Sequence, residues 1–101
     1  ENKNDILIYY DLEVEPKKGI MKNSTEEIIL TKNEMIIFTF LLANMGNIVT
    51  RDDLMTDLWN NNEYINDNAL NVNISRLRAK LKDLGYEDAI ETRKGQGYIL
   101  K

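Results

Sequence analysis

The stretch from Asp67 to Leu84 is the strongest constraint on how this chain folds. On a helical wheel at about 100° per residue, its apolar side chains fall on one narrow stripe. Amide side chains lie in its first turns, and basic side chains follow along its length. The stretch therefore predicts an amphipathic helix over 67–84 with one face buried in a core. The predicted buried residues are Leu70, Ile74, Leu77, Leu81 and Leu84.

The polar face of this helix has two interpretations. It is either the solvated basic face of an ordinary surface helix or a face that lies in a groove of DNA. Exposed amides and basic groups beside an apolar stripe suit the second interpretation, because they can contact base edges and phosphates. The segments that follow the helix bear on this choice.

The basic residues of the chain are concentrated near its C-terminal end. The chain has 13 Lys and Arg against 17 Asp and Glu, a formal net charge of −4. Residues 1–75 carry −7, with six basic and thirteen acidic side chains, whereas residues 76–101 carry +3, with seven and four. The net acidity argues against a general polyanion binder. The basic charge is therefore gathered in the last quarter of the chain, on the second half of the stretch 67–84 and in the residues that follow it.

Composition excludes several kinds of catalytic site. The chain has no cysteine and no histidine, which removes disulfides, thiolate metal sites and histidine general bases. Asp52 and Asp53 are a conceivable carboxylate pair, but their place at a predicted helix start favours a capping role. We therefore predict no enzyme activity, no metal site and no cofactor.

Other features of the sequence bear on location. No apolar run reaches the roughly 18–20 residues of a membrane span, and no signal peptide is visible. We expect a cytoplasmic protein that does not associate with membranes. Because the chain begins at Glu1 rather than at methionine, we also expect it to be a fragment of a longer protein.

Four short β-prone segments precede the first predicted helix. Turn sequences such as Pro16–Gly19 separate them, and this spacing predicts an antiparallel sheet over residues 6–30 with one buried face. The polar residues 1–5 are interpreted as the end of a linker. The predicted strands are 6–10, 12–15, 20–21 and 28–30.

Capping sequences mark the starts of the helices predicted within residues 31–84. Thr31 and Glu34 have the spacing of a capping box, and Thr50 and Asp53 repeat the pattern. Either Asn66 or Asp67 can cap the third helix. The three predicted helices run from Thr31 to about Met45, from Thr50 to about Trp59, and from Asp67 to Leu84.

A hairpin over residues 89–100 is predicted after the third helix. Residues 89–92 and 97–100 are β-prone, and Arg93–Gly97 between them contains two cations and two glycines. Such a tip is either a solvated turn or, beside a basic helix, a hairpin that reaches a DNA backbone or groove.

The order of these elements is that of a winged helix-turn-helix, an α+β fold that here occupies one domain over 1–101. Five motifs together resemble the C-terminal effector domain of OmpR/PhoB-type response regulators. Each motif alone is weakly specific, but all five occur in the right order and spacing across essentially the whole chain. The start of the third helix and the hairpin also look like the Gram-positive branch that handles cell-envelope and antimicrobial-peptide stress. The five motifs are Leu30–Glu34, Val49–Arg51, Leu58–Trp59, Val72–Leu81 and Thr92–Tyr98.

The resemblance implies how DNA is contacted. The family's third helix lies in the major groove, where Arg76 matches a base-reading arginine and Val72 matches a position that touches a thymine methyl. Arg78 matches a phosphate contact, as do Trp59 and Tyr98. Thr92 and Lys94 match positions that enter the adjacent minor groove. With the cations predicted from the helix and hairpin, the DNA-binding candidates are Trp59, Asn68, Ala69, Val72, Asn73, Arg76, Arg78, Lys80, Thr92, Arg93, Lys94 and Tyr98.

The sequence departs from the family at several of these positions. Many relatives carry a basic residue or histidine where Asn68, Asn73 and Ser75 stand, and Lys94 replaces a common arginine. Fewer cations imply fewer phosphate contacts and a shallower dependence of affinity on salt.

The resemblance also implies partners outside this chain. Family members carry a receiver domain that a histidine kinase phosphorylates, and phosphorylation promotes dimerisation. Two effector domains then bind direct-repeat half-sites in double-stranded promoter DNA, head to tail.

Loop 60–66 corresponds to the loop through which family activators contact RNA polymerase. The candidate residues for that contact are Asn62, Glu63, Tyr64 and Ile65. From the residues alone, Tyr64 and Ile65 form either a partner surface or a hydrophobic staple for the third helix.

A competing hypothesis is a winged-helix module that binds another protein and does not touch DNA. The overall acidity of the chain and the acidic residues of segment 1–75 motivate this hypothesis.

Overall fold

The computed structural model describes residues 6–101 as an antiparallel sheet, three helices and a C-terminal hairpin. This arrangement confirms the predicted α+β winged-helix architecture. The predicted linker end, residues 1–5, lies outside the described residues, and the single-domain boundary at 1–101 stays a prediction. The elements are β1 (Leu7–Tyr9), β2 (Leu12–Glu15), β3 (Ile20–Lys22), β4 (Glu27–Ile29), α1 (Lys32–Ala43), α2 (Arg51–Asn60), α3 (Asp67–Asp83), β5 (Ile90–Arg93) and β6 (Gly97–Leu100).

The N-terminal sheet has the strand order β1-β2-β3-β4, with every neighbouring pair antiparallel. Alternation along the strands turns Leu12 and Val14 of β2 and Met21 of β3 toward the core, and all three are fully buried. The turn between β2 and β3 closes at Gly19, whose φ of 69° suits glycine. One face of the sheet thus covers the helices.

All three helices begin where their caps predict. Thr31 with Glu34 and Thr50 with Asp53 both form complete capping boxes. At α3 the cap is Asn66, whose Oδ1 accepts a hydrogen bond from the backbone N–H of Ala69 at 2.7 Å. These side chains satisfy backbone donors that the first turn of a helix leaves without partners.

Helix α1 ends two residues earlier than the sequence predicts. The backbone N–H of Asn44 bonds to the carbonyl of Leu41 at 3.1 Å, and its side chain bonds to that of Phe40 at 2.9 Å. Gly46 donates to the carbonyl of Leu100 in β6 at 2.9 Å. Since residues 44–46 make these other hydrogen bonds, including a long-range one to the hairpin, α1 ends at Ala43 rather than near Met45.

The hydrophobic core lies where α1 and α3 meet the inner face of the sheet. Every residue of the predicted stripe on α3 is buried, as are Ile37, Phe38 and Leu41 of α1. Tyr9 packs edge-to-face on Phe38 with ring centroids 5.7 Å apart. The Tyr9 hydroxyl donates to the carbonyl of Lys101 at 2.5 Å, and burial raises its pKa to about 12. The first strand is thereby tied to the C-terminal end of the hairpin.

None of the helices described within residues 6–101 is long and apolar enough to cross a lipid bilayer.

Phe38 supplies the largest fully buried aromatic side chain of α1. We expect Phe38→Ala to lower the free energy of unfolding by about 3–5 kcal/mol, because it leaves a cavity beside Tyr9. Phe40→Ala, at a partly buried position of the same helix, is the matched control and should cost clearly less. Urea unfolding followed by circular dichroism measures both, and equal losses would contradict this account of the core.

Candidate nucleic-acid interface

The face of α3 opposite its buried stripe carries Asn68, Val72 and Arg76. All three side chains are exposed, and Val72 leaves an apolar patch on an otherwise polar face. Within residues 6–101, the guanidinium of Arg76 has no hydrogen-bond or ion-pair partner. A side chain that can donate five hydrogen bonds thus projects from the helix with all of its donors available.

The hairpin of β5 and β6 is fixed against the start of α2. Val49 and Tyr98 exchange two backbone hydrogen bonds of 2.8 and 2.9 Å, which form a single antiparallel bridge. Gly97 makes this approach possible, because a Cβ there would lie 2.1 Å from the carbonyl oxygen of Val49. The hairpin tip therefore projects from a defined place beside the helices.

Three predicted contact residues lie at or near this tip, and all are exposed: Thr92, Arg93 and Lys94. The Nε of Arg93 donates to Glu91 at 2.8 Å. Lys94 has no side-chain partner in the described part of the chain. A cleft of about 480 Å³ separates the tip from Thr50–Asp52 at the start of α2.

Arg51 is a residue of this region whose partners the sequence did not predict. Its Nη1 donates to Asn71 of α3 and to the Tyr98 hydroxyl of β6, each at 2.7 Å. Its Nη2 donates to the carbonyl of Asp67 at 3.1 Å. The Tyr98 ring is only 6% exposed, and its hydroxyl accepts from Arg51, so its proton stays available for donation. Arg51 joins α2, α3 and the hairpin at one point.

Arg78 lies on the flank of α3 that faces the hairpin. Its Nε donates to the carbonyl of Ile90 at 3.0 Å, and its Nη2 donates to the Thr92 hydroxyl. The guanidinium is thus bound to β5, with part of its donor capacity still unused. The predicted phosphate contact of Arg78 can therefore use only the donors that are not bound to the hairpin.

Lys80, another predicted DNA contact, lies on the opposite flank of α3. Its ammonium is 2.5 Å from a carboxylate oxygen of Glu34, and it donates to the carbonyl of Ile29 at 2.8 Å. Glu34 is 1% exposed and also caps α1 through the N–H of Thr31. Lys80 therefore links α3 to α1 and to the end of β4, a structural role that the helical pattern did not predict.

The remaining candidates on α3 are less exposed. Ala69 and Asn73 are half-buried, and the side-chain amide of Asn73 donates to the carbonyl of Ala69 at 2.8 Å. The Oδ1 of Asn73 is left as an acceptor.

Loop 60–66 divides into structural and exposed residues. Glu63 is bound by Lys32 of α1 at 3.1 Å, and Ile65 packs partly buried on the core, as a staple does. Tyr64 is 72% exposed and lies beside the half-exposed Trp59, with ring centroids 6.3 Å apart. Asn62, exposed with a φ of 65°, accepts from the Tyr64 hydroxyl at 3.4 Å. Tyr64 and Asn62 are therefore the accessible part of the predicted partner loop.

These elements bring together the exposed cation Arg76 on α3 and the exposed cations Arg93 and Lys94 on the hairpin. A search of residues 6–101 finds no group of three or more acidic, histidine or cysteine side chains that could hold a metal ion. Helix α2, α3 and a hairpin with a basic tip together define the winged helix-turn-helix class of DNA-binding domains.

Comparison with known proteins gives the family. Residues 25–100 match the family described as "Transcriptional regulatory protein, C terminal". The chain belongs to this family, the OmpR/PhoB-type effector domains, which confirms the resemblance found in the sequence.

Individual relatives agree with this assignment. The chain is 42% identical over 94 residues to the response regulator protein GraR of Staphylococcus saprophyticus, covering 93% of this chain and 42% of GraR. The chain thus spans less than half the length of this relative. The C-terminal domain of the nisin resistance regulator NsrR has a TM-score of 0.76 at 31% identity, covering 98% of this chain and 94% of that one. The RstA DNA-binding domain of Klebsiella pneumoniae, solved in complex with the RstA box, has a TM-score of 0.74 at 26% identity and covers 94% and 95%.

The pair of Lys80 and Glu34 generates a test of stability. We expect Lys80→Met to lower the free energy of unfolding by about 1–3 kcal/mol, because it leaves a buried carboxylate without its cation. Adding Glu34→Gln, which keeps an acceptor for the cap, should restore part of the loss. Lys82→Met is the matched control, since Lys82 is 66% exposed and its ion pair with Glu87 spans 3.6 Å. Equal losses for both single variants in urea unfolding would refute the structural role of Lys80.

Proposed function

We propose that this domain binds double-stranded DNA sequence-specifically and regulates transcription as the output domain of a two-component response regulator. Helix α3, with its flanks over 67–84, enters the major groove as the recognition helix. Segment 92–98 of the hairpin, the wing, enters the adjacent minor groove. The observation that supports this proposal is the exposed guanidinium of Arg76, which has no partner within residues 6–101, together with the exposed cations Arg93 and Lys94 on the wing.

Each contact has a chemical rationale. Arg76 donates two hydrogen bonds to guanine O6 and N7, and Val72 packs on a thymine methyl. Asn68 and Ala69 contact the backbone or a base edge at the start of the helix, with the Asn73 oxygen beside them. The indole N–H of Trp59, the hydroxyl of Tyr98 and the cations Arg93 and Lys94 bind phosphates or the minor groove. Thr92 enters the minor groove with Lys94, and Arg78 binds a phosphate through the donors that it does not use on β5. Lys80 is left out of this set because Glu34 already binds its ammonium.

Arg76 provides the first test of sequence readout. A duplex selected from a random library by the domain itself serves as probe, with a scrambled duplex beside it. We expect Arg76→Ala to weaken binding to the selected duplex by about 1–3 kcal/mol and to change binding to the scrambled duplex far less. Fluorescence anisotropy across a salt series measures both affinities.

Lys18→Ala is the matched control, because it removes one exposed cation from the turn between β2 and β3 rather than from α3. It should leave both affinities close to those of the parent domain. Equal binding of the parent domain to both duplexes would contradict sequence readout and favour the protein-interaction module instead.

The wider assembly follows from the family. We propose that a receiver domain and a histidine kinase lie outside this chain, and that two effector domains bind direct-repeat half-sites head to tail. Two linked half-sites raise affinity through effective concentration, which suits a domain with few cations on its recognition helix. The names of relatives as response regulators support this arrangement. We also propose a cytoplasmic location, because that is where a bacterial DNA partner lies.

We also propose that loop 60–66 contacts RNA polymerase through Tyr64, with Asn62 beside it. Glu63 and Ile65 hold the loop in place from within, and the exposed aromatic ring of Tyr64 suits a protein partner.

The polymerase contact is tested in a ternary complex. RNA polymerase holoenzyme should slow dissociation of the domain from promoter DNA that carries the selected site. We expect Tyr64→Ala to abolish this slowing and to leave binary DNA affinity within about twofold, because hot-spot aromatics dominate small interfaces. Thr56→Ala, an exposed position on α2, serves as control. Unchanged slowing in Tyr64→Ala would refute this contact.

A further inference from the structure

Two arginines connect the recognition helix to the wing. Asp67, Asn71 and Arg78 fall within about 40° of one another on the helical wheel, on the flank of α3 that faces the hairpin. The guanidinium of Arg51 donates hydrogen bonds to Asp67 and Asn71 of α3 and to Tyr98 of β6. Arg78 reaches β5 directly. Helix and wing are therefore bridged at two points, one near each strand of the hairpin.

The Arg78 bridge is specific to the shape of a guanidinium. Its Nε and Nη2 lie on one edge of a planar group and donate at the same time to the Ile90 carbonyl and the Thr92 hydroxyl. A lysine ammonium carries the same charge, but it has a single nitrogen and cannot present two donors along one edge. Thr92 is two residues before Lys94, so its position sets where the wing tip begins.

We propose that Arg78 is a positioning residue that fixes the wing relative to the recognition helix, so that major-groove and minor-groove contacts are made as one unit. This inference rests on the proposed DNA-binding function and assigns Arg78 a role that acts through Thr92. Arg51 holds the other strand of the wing. Only donors that Arg78 does not use on β5 are left for a phosphate.

The first arm of the test needs no DNA. Hydrogen exchange of the β5 and β6 amides reports how often the hairpin opens away from α3. Arg78→Lys should speed this exchange about tenfold, which corresponds to the loss of roughly one charge-assisted hydrogen bond. Arg76→Lys is the matched control on the exposed face and should leave hairpin exchange unchanged. Thr92→Val, which removes the acceptor and keeps the side-chain shape, should speed exchange as well and provides a second variant.

The second arm uses the selected duplex. We expect Arg78→Lys to weaken binding about tenfold and to lower the slope of affinity against salt by no more than the contribution of Lys94, because the charge at position 78 itself is retained. In that background Lys94→Ala should cost less than about twofold, although it costs more in the parent domain, because a displaced wing has already lost the Lys94 contact.

Opposite results would overturn the inference. Unchanged hairpin exchange in both Arg78→Lys and Thr92→Val would show that the bridge does not hold the wing. Full affinity in Arg78→Lys, with a salt slope reduced by about one in Arg78→Ala, would show that Arg78 is simply a phosphate contact. Failure of the parent domain to prefer the selected duplex would instead overturn the DNA-binding proposal. The two outcomes are distinguishable because hydrogen exchange of the hairpin is measured without DNA.

Discussion

Burial of the apolar stripe on α3 is the constraint on which the rest of this structure depends. The same helix supplies the centre of the core and the proposed DNA-reading surface, so Leu70, Leu77 and Leu81 fix the direction in which Arg76 projects. A helix cannot rotate about its axis once five large side chains are packed on one side. Orientation of the reading face is thus a consequence of core packing and needs no loop to define it.

Polar contacts then fix the position of α3 relative to its neighbours, which apolar packing alone does not fully determine. Hydrophobic contacts have little directional preference and permit small shifts of one element along another. The bond of Lys80 to Glu34 joins one flank of α3 to the start of α1, and Arg51 and Arg78 join the other flank to the hairpin. Basic side chains of the recognition helix thus serve two purposes, because some hold the scaffold while Arg76 remains available for a ligand.

This division explains how much the sequence predicted. Caps at Thr31 and Thr50 and the stripe on α3 depend on residues within a few positions of each other, and such local patterns determined most element positions. Glu34 lies 46 residues from Lys80 and Tyr98 lies 47 residues from Arg51, and no local pattern encodes which cation binds which acceptor. The helical wheel therefore placed Lys80 beside the basic face without revealing its buried partner. The site residues gathered on α3 and the wing followed from family motifs rather than from composition.

The distribution of charge also has a functional consequence. A net charge of −4 disfavours general attraction to DNA, and the basic residues are concentrated in the last quarter of the chain, which includes the proposed contacts Arg76, Arg93 and Lys94. With Lys80 held by Glu34 and amides at positions 68 and 73, the recognition helix offers few cations to phosphates. Because phosphate contacts supply most non-specific affinity, their scarcity shifts the balance toward contacts that depend on sequence and shape. A rigid connection between helix and wing then matters more, since each remaining contact has to be made without the help of a strong general attraction.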